Sequence, residues 1–152
     1  MGGLPTAGTV GAIVDAGVTH VVNCRATPQT VFSRDLSVER QLFGEENVAH
    51  APMWDHGSRQ PPELWAPAAR FAADALDADP AARVLIHCQK GRRRSVLVAY
   101  AVLRLRGLSG EDAARTILES RREARLVPAY RASVEDWLVG GAEVPAAAPA
   151  VR

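Results

Sequence analysis

The chain is 152 residues long, 47% hydrophobic and nearly neutral, with 18 basic residues against 17 acidic ones. That length suits one globular domain with a substantial core, and a net charge of +1 supplies no global field toward nucleic acid or a membrane surface. Two cysteines do not make a disulfide framework, so a reducing, cytoplasmic setting is expected. The longest apolar run, residues 96–103, falls well short of the roughly 20 residues that span a bilayer, so no stable membrane insertion is expected. The start lacks a basic-then-apolar leader. "MGGLPT" fits the loose myristoylation pattern at Gly2, but 17 arginines against one lysine suggest a GC-rich bacterial genome, where that modification is not expected.

Taken in chain order, the pattern predicts a helix over 9–16 closed by Gly17, then a β-rich strand at 18–24 that runs into a polar loop. A helix over 30–42 precedes Gly44. "NVAHAPMW", residues 47–54, reads as a strand, and "DHGSRQPP" as a loop. Pro62 opens a helix over 62–76. After a "DADP" turn, "RVLIHC", residues 83–88, resembles a fully buried central strand. A strongly helical stretch, 95–106, stops at Gly107. Ser109 is the N-cap of the next helix, with Glu111 and Asp112 in its first turn, and a last helix spans 129–139. One domain over 1–139 is expected, with a disordered Pro/Ala tail at 140–152. The alternation predicts an α/β fold: a central, mostly parallel, twisted sheet of about four to five strands flanked by helices.

The chemistry concentrates in "HCQKGRRRS", residues 87–95. A buried strand entering a loop and then a helix delivers backbone N–H groups to one point at the positive end of the helix dipole, which makes an anion site. Cys88 ends the strand and Arg94 begins the helix, so Gln89, Lys90, Gly91, Arg92 and Arg93 wrap the site between them. Gly91 supplies backbone freedom, and Arg94 offers a planar fork for two phosphate oxygens. A free cysteine is only about 3% thiolate at neutral pH, whereas a helix N-terminus and cations lower its pKa to roughly 3.5–7.5. The same charge that holds a phosphate therefore keeps the sulfur ionised.

These residues match His-Cys-x5-Arg-Ser, and the chain resembles the protein tyrosine phosphatase superfamily, in particular its small dual-specificity branch. "GVTHVVN", "APMWDHG" and "AARTILESRREARLVPAYRASVEDW" are similar to that branch's entering strand, general-acid loop and C-terminal helices, so the resemblance covers nearly the whole chain. It implies Cys88 as nucleophile, Arg94 as phosphate clamp, and His87 as a residue tuning the thiol from behind the loop. It further implies Ser95 as donor to the sulfur when the phosphoenzyme breaks down, and Asp55 as general acid. The expected activity is hydrolysis of phosphotyrosine, and of phosphoserine or phosphothreonine, through a phosphocysteine, with no metal and no cofactor. The expected partner is a phosphorylated protein or a small anionic phosphate ester; no oligomeric state is assigned.

Other readings stand beside these. Cys88 could be a core thiol and Asp55 an Asx-turn residue, while His56, Asp77 and Asp79 are rival acids. Family loops often carry a small residue where this chain has Arg93. With Lys90 and Arg92, that arginine reads either as a solvated basic run or as a preference for highly anionic substrates such as phosphoinositides; its bulk could also distort the loop. Cys24, ending a neighbouring strand, reads as a buried thiol or as a redox partner for Cys88. A rhodanese-like sulfurtransferase and a non-catalytic phosphate-binding module are the alternatives from other classes.

Overall fold

A computed structural model of the chain describes residues 1–3 and 7–141. Three parallel strands form the sheet: β1 (His20–Asn23), β2 (Val48–His50) and β3 (Val84–His87), in the order β2-β1-β3. Val21 pairs with Val48 on one side and Leu85 on the other, and Asn23 pairs with His50 and His87. Around the sheet lie α1 (Ala7–Asp15), α2 (Thr27–Ser33), α3 (Asp35–Phe43), α4 (Pro62–Ala78), α5 (Arg94–Leu105), α6 (Gly110–Ser120) and α7 (Pro128–Val139). The α/β class and parallel sheet are as expected, but among the described residues the sheet has three strands, not four to five. On the outer edge of β3 an isolated bridge at Gly2 takes the place of a further strand, its N–H donating to the Ile86 carbonyl at 2.8 Å. Of the tail, only Gly140 and Gly141 fall among the described residues.

The main core lies between the sheet and the α4–α5 layer. Val22 and Ile86 from the strands meet Trp65, Ala66, Ala69 and Ala72 of α4 and Val96, Leu97 and Tyr100 of α5. The alanine stripe of α4 lets α5 approach closely, so residues 94–102 of α5 are all buried; a helix apolar all round belongs inside. On the opposite face Val21, Leu36 and Val48 form a smaller cluster that seats α3. The central strand β1 thus buries consecutive valines on both faces, as a parallel strand covered by helices on both sides must.

Two expectations change. The helix expected over 30–42 is broken at Arg34, whose φ of 59° makes it the C-cap of α2 and the N-cap of α3. Tertiary anchoring accompanies the break: Arg25 Nη1 donates to Ser33 Oγ at 2.7 Å and pairs with Asp35 at 3.0 Å, holding the residues on either side of Arg34 against one buried guanidinium. The strand expected over 47–54 ends at His50. Beyond it, Ala51 still donates to the Asn23 carbonyl at 2.8 Å, but the chain then leaves the sheet and carries Trp54 and Asp55 across its C-terminal end. Ser109 caps α6 as expected, its hydroxyl accepting from the Asp112 N–H at 3.1 Å.

Candidate active site

All three strands point their C-terminal ends at one cleft of about 360 Å³, lined by Gln29, Asp55, Cys88, Gln89, Lys90, Arg92, Arg93 and Arg94. Ligands in open parallel sheets bind at this end of the strands. The loop 88–94 joins β3 directly to the N-terminus of α5, so the positive end of a deeply buried helix faces the cleft.

The Cys88 thiol sits at the loop's base, buried, with the Gly91 N–H donating to Sγ at 3.2 Å and the Ser95 hydroxyl 3.4 Å away. Burial alone would raise its pKa. Hydrogen bonds from the Ser95 side chain and backbone and from Gly91, with the charge of Arg94, outweigh that and hold the thiol below its ordinary value. Gly91 has φ +66°, and a Cβ there would stand 2.4 Å from the backbone carbon of Gly2. Glycine is therefore required twice, once by conformation and once by the segment bridged to β3.

Arg94 is almost fully buried. Its Nη1 donates to Gln29 Oε1 at 2.9 Å and to the Met53 carbonyl at 2.7 Å, while its Nε has no protein partner. A guanidinium clamped along one edge and unsatisfied along another can receive an oxyanion there. Gln29 is in turn tied to the start of α2, its Oε1 also accepting from the Ala26 N–H at 3.1 Å.

Asp55 enters from the 51–61 segment. Tyr130 of α7 donates its hydroxyl to Asp55 Oδ1 at 2.7 Å, and Arg93 Nε lies 3.2 Å from the same oxygen. Burial, followed by the hydrogen bond to Asp55, pushes the Tyr130 phenol pKa up, so it remains a donor. Gln60, also buried, donates from Nε2 to the Trp54 carbonyl at 2.6 Å, and its backbone N–H donates to Ser133 Oγ at 3.0 Å. Through these contacts α7 supports the segment that bears Asp55.

Behind the loop, fully buried His87 places Nε2 2.7 Å from Glu39 Oε2. Asn23 donates to both Glu39 at 2.7 Å and Asp35 at 2.8 Å. Asp35, Glu39 and His87 bring potential metal-ligating atoms within 4.8 Å of one another, a grouping that their spacing along the chain does not reveal. All three already have protein partners, and Arg25 holds Asp35 at 3.0 Å, so the group reads as a hydrogen-bonded support. Cys24, fully buried, donates its N–H to the His87 carbonyl at 2.8 Å. Its thiol is pushed well above the ordinary range, first by burial and then by Cys88.

The rival acids lie elsewhere. Asp77 pairs with Arg106 and Asp79 caps a turn by accepting from the Ala81 N–H, while exposed His56 accepts from the Ser58 N–H. Gln29, Glu39, Gln60 and Tyr130 are not legible in the sequence, since their contacts with Arg94, His87, Ser133 and Asp55 each span 48 or more residues. The one local signal among them is Gln29, three residues after Ala26, whose N–H its side chain accepts in the capping-box position of α2.

No family model matches the sequence, and no curated protein is matched by it. Solved structures are similar over nearly the whole chain. PTPMT1 in complex with PI(5)P aligns with a TM-score of 0.76 at 20% identity, covering 94% of this chain and 93% of that one. Human DUSP28 aligns at 0.72 and 23%, covering 94% and 89%. Tk-PTP in its active form aligns at 0.68 and 25%, covering 90% and 87%. The chain therefore has the fold of the dual-specificity and protein tyrosine phosphatase-like proteins.

Proposed function

We propose that the protein is a cysteine-dependent phosphomonoesterase acting on phosphotyrosine, and on phosphoserine or phosphothreonine, in phosphoproteins or small phosphate esters. The observation that carries this reading is the convergence of Cys88, Arg94 and Asp55 on one cleft from two separate segments. A binding module needs the loop and Arg94 but has no use for Asp55, and a sulfurtransferase needs only the cysteine loop.

In the proposed reaction the Cys88 thiolate attacks phosphorus while the bond to the ester oxygen breaks, and the Asp55 carboxyl gives its proton to that leaving oxygen. The free edge of Arg94 and the loop amides stabilise charge on the three equatorial oxygens. Water then attacks the phosphocysteine, Asp55 takes its proton, and phosphate departs as the Ser95 hydroxyl donates to the returning thiolate. The products are the alcohol or phenol and inorganic phosphate. His87 acts from behind, its ring fixed by Glu39, and no cofactor enters the scheme. Cys24 is the proposed redox partner of Cys88.

A phosphoinositide is the second substrate reading, and a specific packing arrangement favours it. The segment after α6 lies along the loop's outer edge: Arg125 donates its N–H to the Arg92 carbonyl at 2.7 Å, and Arg121 reaches the Lys90 carbonyl at 3.5 Å. Exposed Arg122 and Arg125 thus join exposed Lys90 and Arg92 at the rim, a surface suited to substrates with more than one phosphate. PTPMT1, of like fold, has been solved with PI(5)P.

The test is hydrolysis of p-nitrophenyl phosphate and an alkyl phosphate in the presence of a chelator, comparing wild type with Cys88→Ser and Asp55→Asn. Turnover by wild type, none by Cys88→Ser, and a selective loss on the alkyl ester in Asp55→Asn are expected. Cyanide-dependent sulfur transfer from thiosulfate without ester hydrolysis would replace this reading with the sulfurtransferase one.

A further inference from the structure

The side chain of Arg93 leaves the loop rim and crosses to the Asp55 segment. Its Nε lies 3.2 Å from Asp55 Oδ1, an ion pair without hydrogen-bond geometry, and its guanidinium carbon stands 5.8 Å from the ring centroid of Tyr130. Its Nη2 occupies the space beside Gly57, only 2.9 Å from where a Cβ would be. Tyr130 donates to the same Asp55 oxygen and accepts the Gly57 N–H at 3.0 Å. These contacts together tie the 88–94 loop, the Asp55 segment and α7 to one another.

We propose that Arg93 is a positioning residue that latches the Asp55 segment to the phosphate loop, holding the acid in the Cys88 cleft before substrate arrives; this rests on the phosphatase reading above. The Arg93–Asp55 pair is partly exposed on both sides, 38% and 32%, so charge attraction alone is weak and screened. The cation–π contact with Tyr130 and the fit beside Gly57 restrict its geometry, and a broad guanidinium can make both contacts where a compact ammonium cannot. Both Arg93 and Tyr130 contact Oδ1. That assigns Oδ2 as the atom that carries the proton to the leaving oxygen. The basic residue at this unusual position thus serves the acid instead of adding an anion contact at the rim.

The experiment compares Arg93→Ala and Arg93→Lys with wild type on the aryl and alkyl phosphates, alone and in the Asp55→Asn background, with thermal melts as a check on folding. Misplacing a catalytic group costs up to about 100-fold. Arg93→Ala should therefore lower kcat on the alkyl ester by about 10- to 100-fold and on the aryl ester by clearly less, with Arg93→Lys recovering only part. It should add nothing to Asp55→Asn. Equal losses on both esters, or a loss that compounds with Asp55→Asn, would overturn the latch and make Arg93 a phosphate contact while the phosphatase reading stands. A wild type that turns over neither ester would overturn both.

Discussion

Glu39 Oε2 and His87 Nε2 meet at 2.7 Å across 48 residues of sequence, with His87 fully buried and Glu39 nearly so. The contact fixes the imidazole directly behind Cys88, with Nε2 facing the Glu39 carboxyl. Asn23 donates to the same carboxyl while also holding Asp35, so truncation leaves His87 Nε2 without its partner and Asn23 with one of its two. Glu39→Ala is expected to cost about 1–3 kcal/mol, with Glu39→Gln costing less because it keeps an acceptor. Chemical denaturation measures both; near-wild-type stability of Glu39→Ala would show that the pair does not hold the loop base.

The lowered pKa of Cys88 has a kinetic signature. A thiolate is what iodoacetamide alkylates, so the inactivation rate should rise with pH around a midpoint below the ordinary cysteine value of about 8.5. Because Ser95 is the leading group that lowers it, Ser95→Ala should move the midpoint upward. Cys24, raised by burial, should be modified only after unfolding. A midpoint in the ordinary range for wild type would remove the electrostatic account of Cys88 as the proposed nucleophile.

Cys24 follows Asn23, which pairs with His87, so the two cysteines occupy adjacent register positions on neighbouring strands. Such strands lie about 4.8 Å apart, within the roughly 7 Å that a disulfide allows. Peroxide should convert Cys88 to a sulfenic acid, releasing water, and the Cys24 thiol should then displace a second water to form the disulfide. Expected are reversible inactivation of wild type by peroxide, recovery with a dithiol, and a peptide linking both cysteines by mass spectrometry. Cys24→Ser should be inactivated irreversibly; equal recovery of the two proteins would rule the pairing out.

Arg94 is clamped by Gln29 and the Met53 carbonyl and left free at Nε. Arg94→Lys keeps the charge but loses the fork, and kcat should fall by about 10²–10³-fold, the scale for losing one oxyanion donor. Gln29→Ala leaves Arg94 in place with one tether fewer and should cost about tenfold. If Gln29→Ala matched Arg94→Lys, Gln29 would be acting on substrate directly.

The sequence by itself determined the loop. Strand, Cys88, Gly91, Arg94 and Ser95 fall within a dozen residues, and local geometry over that span follows from hydrophobic pattern, glycine and helix start. It also indicated Asp55, but only through resemblance, since nothing local distinguishes a general acid from a turn aspartate. Tertiary structure decided the rest. The break at Arg34 accompanies the ion pair of Arg25 with Asp35, and the seating of Asp55 follows from Tyr130 and Arg93. The role of Arg93 shows the difference most clearly: as sequence it is one of three arginines in a row, and only the packing of α7 against the Asp55 segment gives its guanidinium a carboxylate and an aromatic face. Side-chain partners drawn from distant segments are set by how helices pack on the sheet, and periodicity along the chain carries no record of that choice.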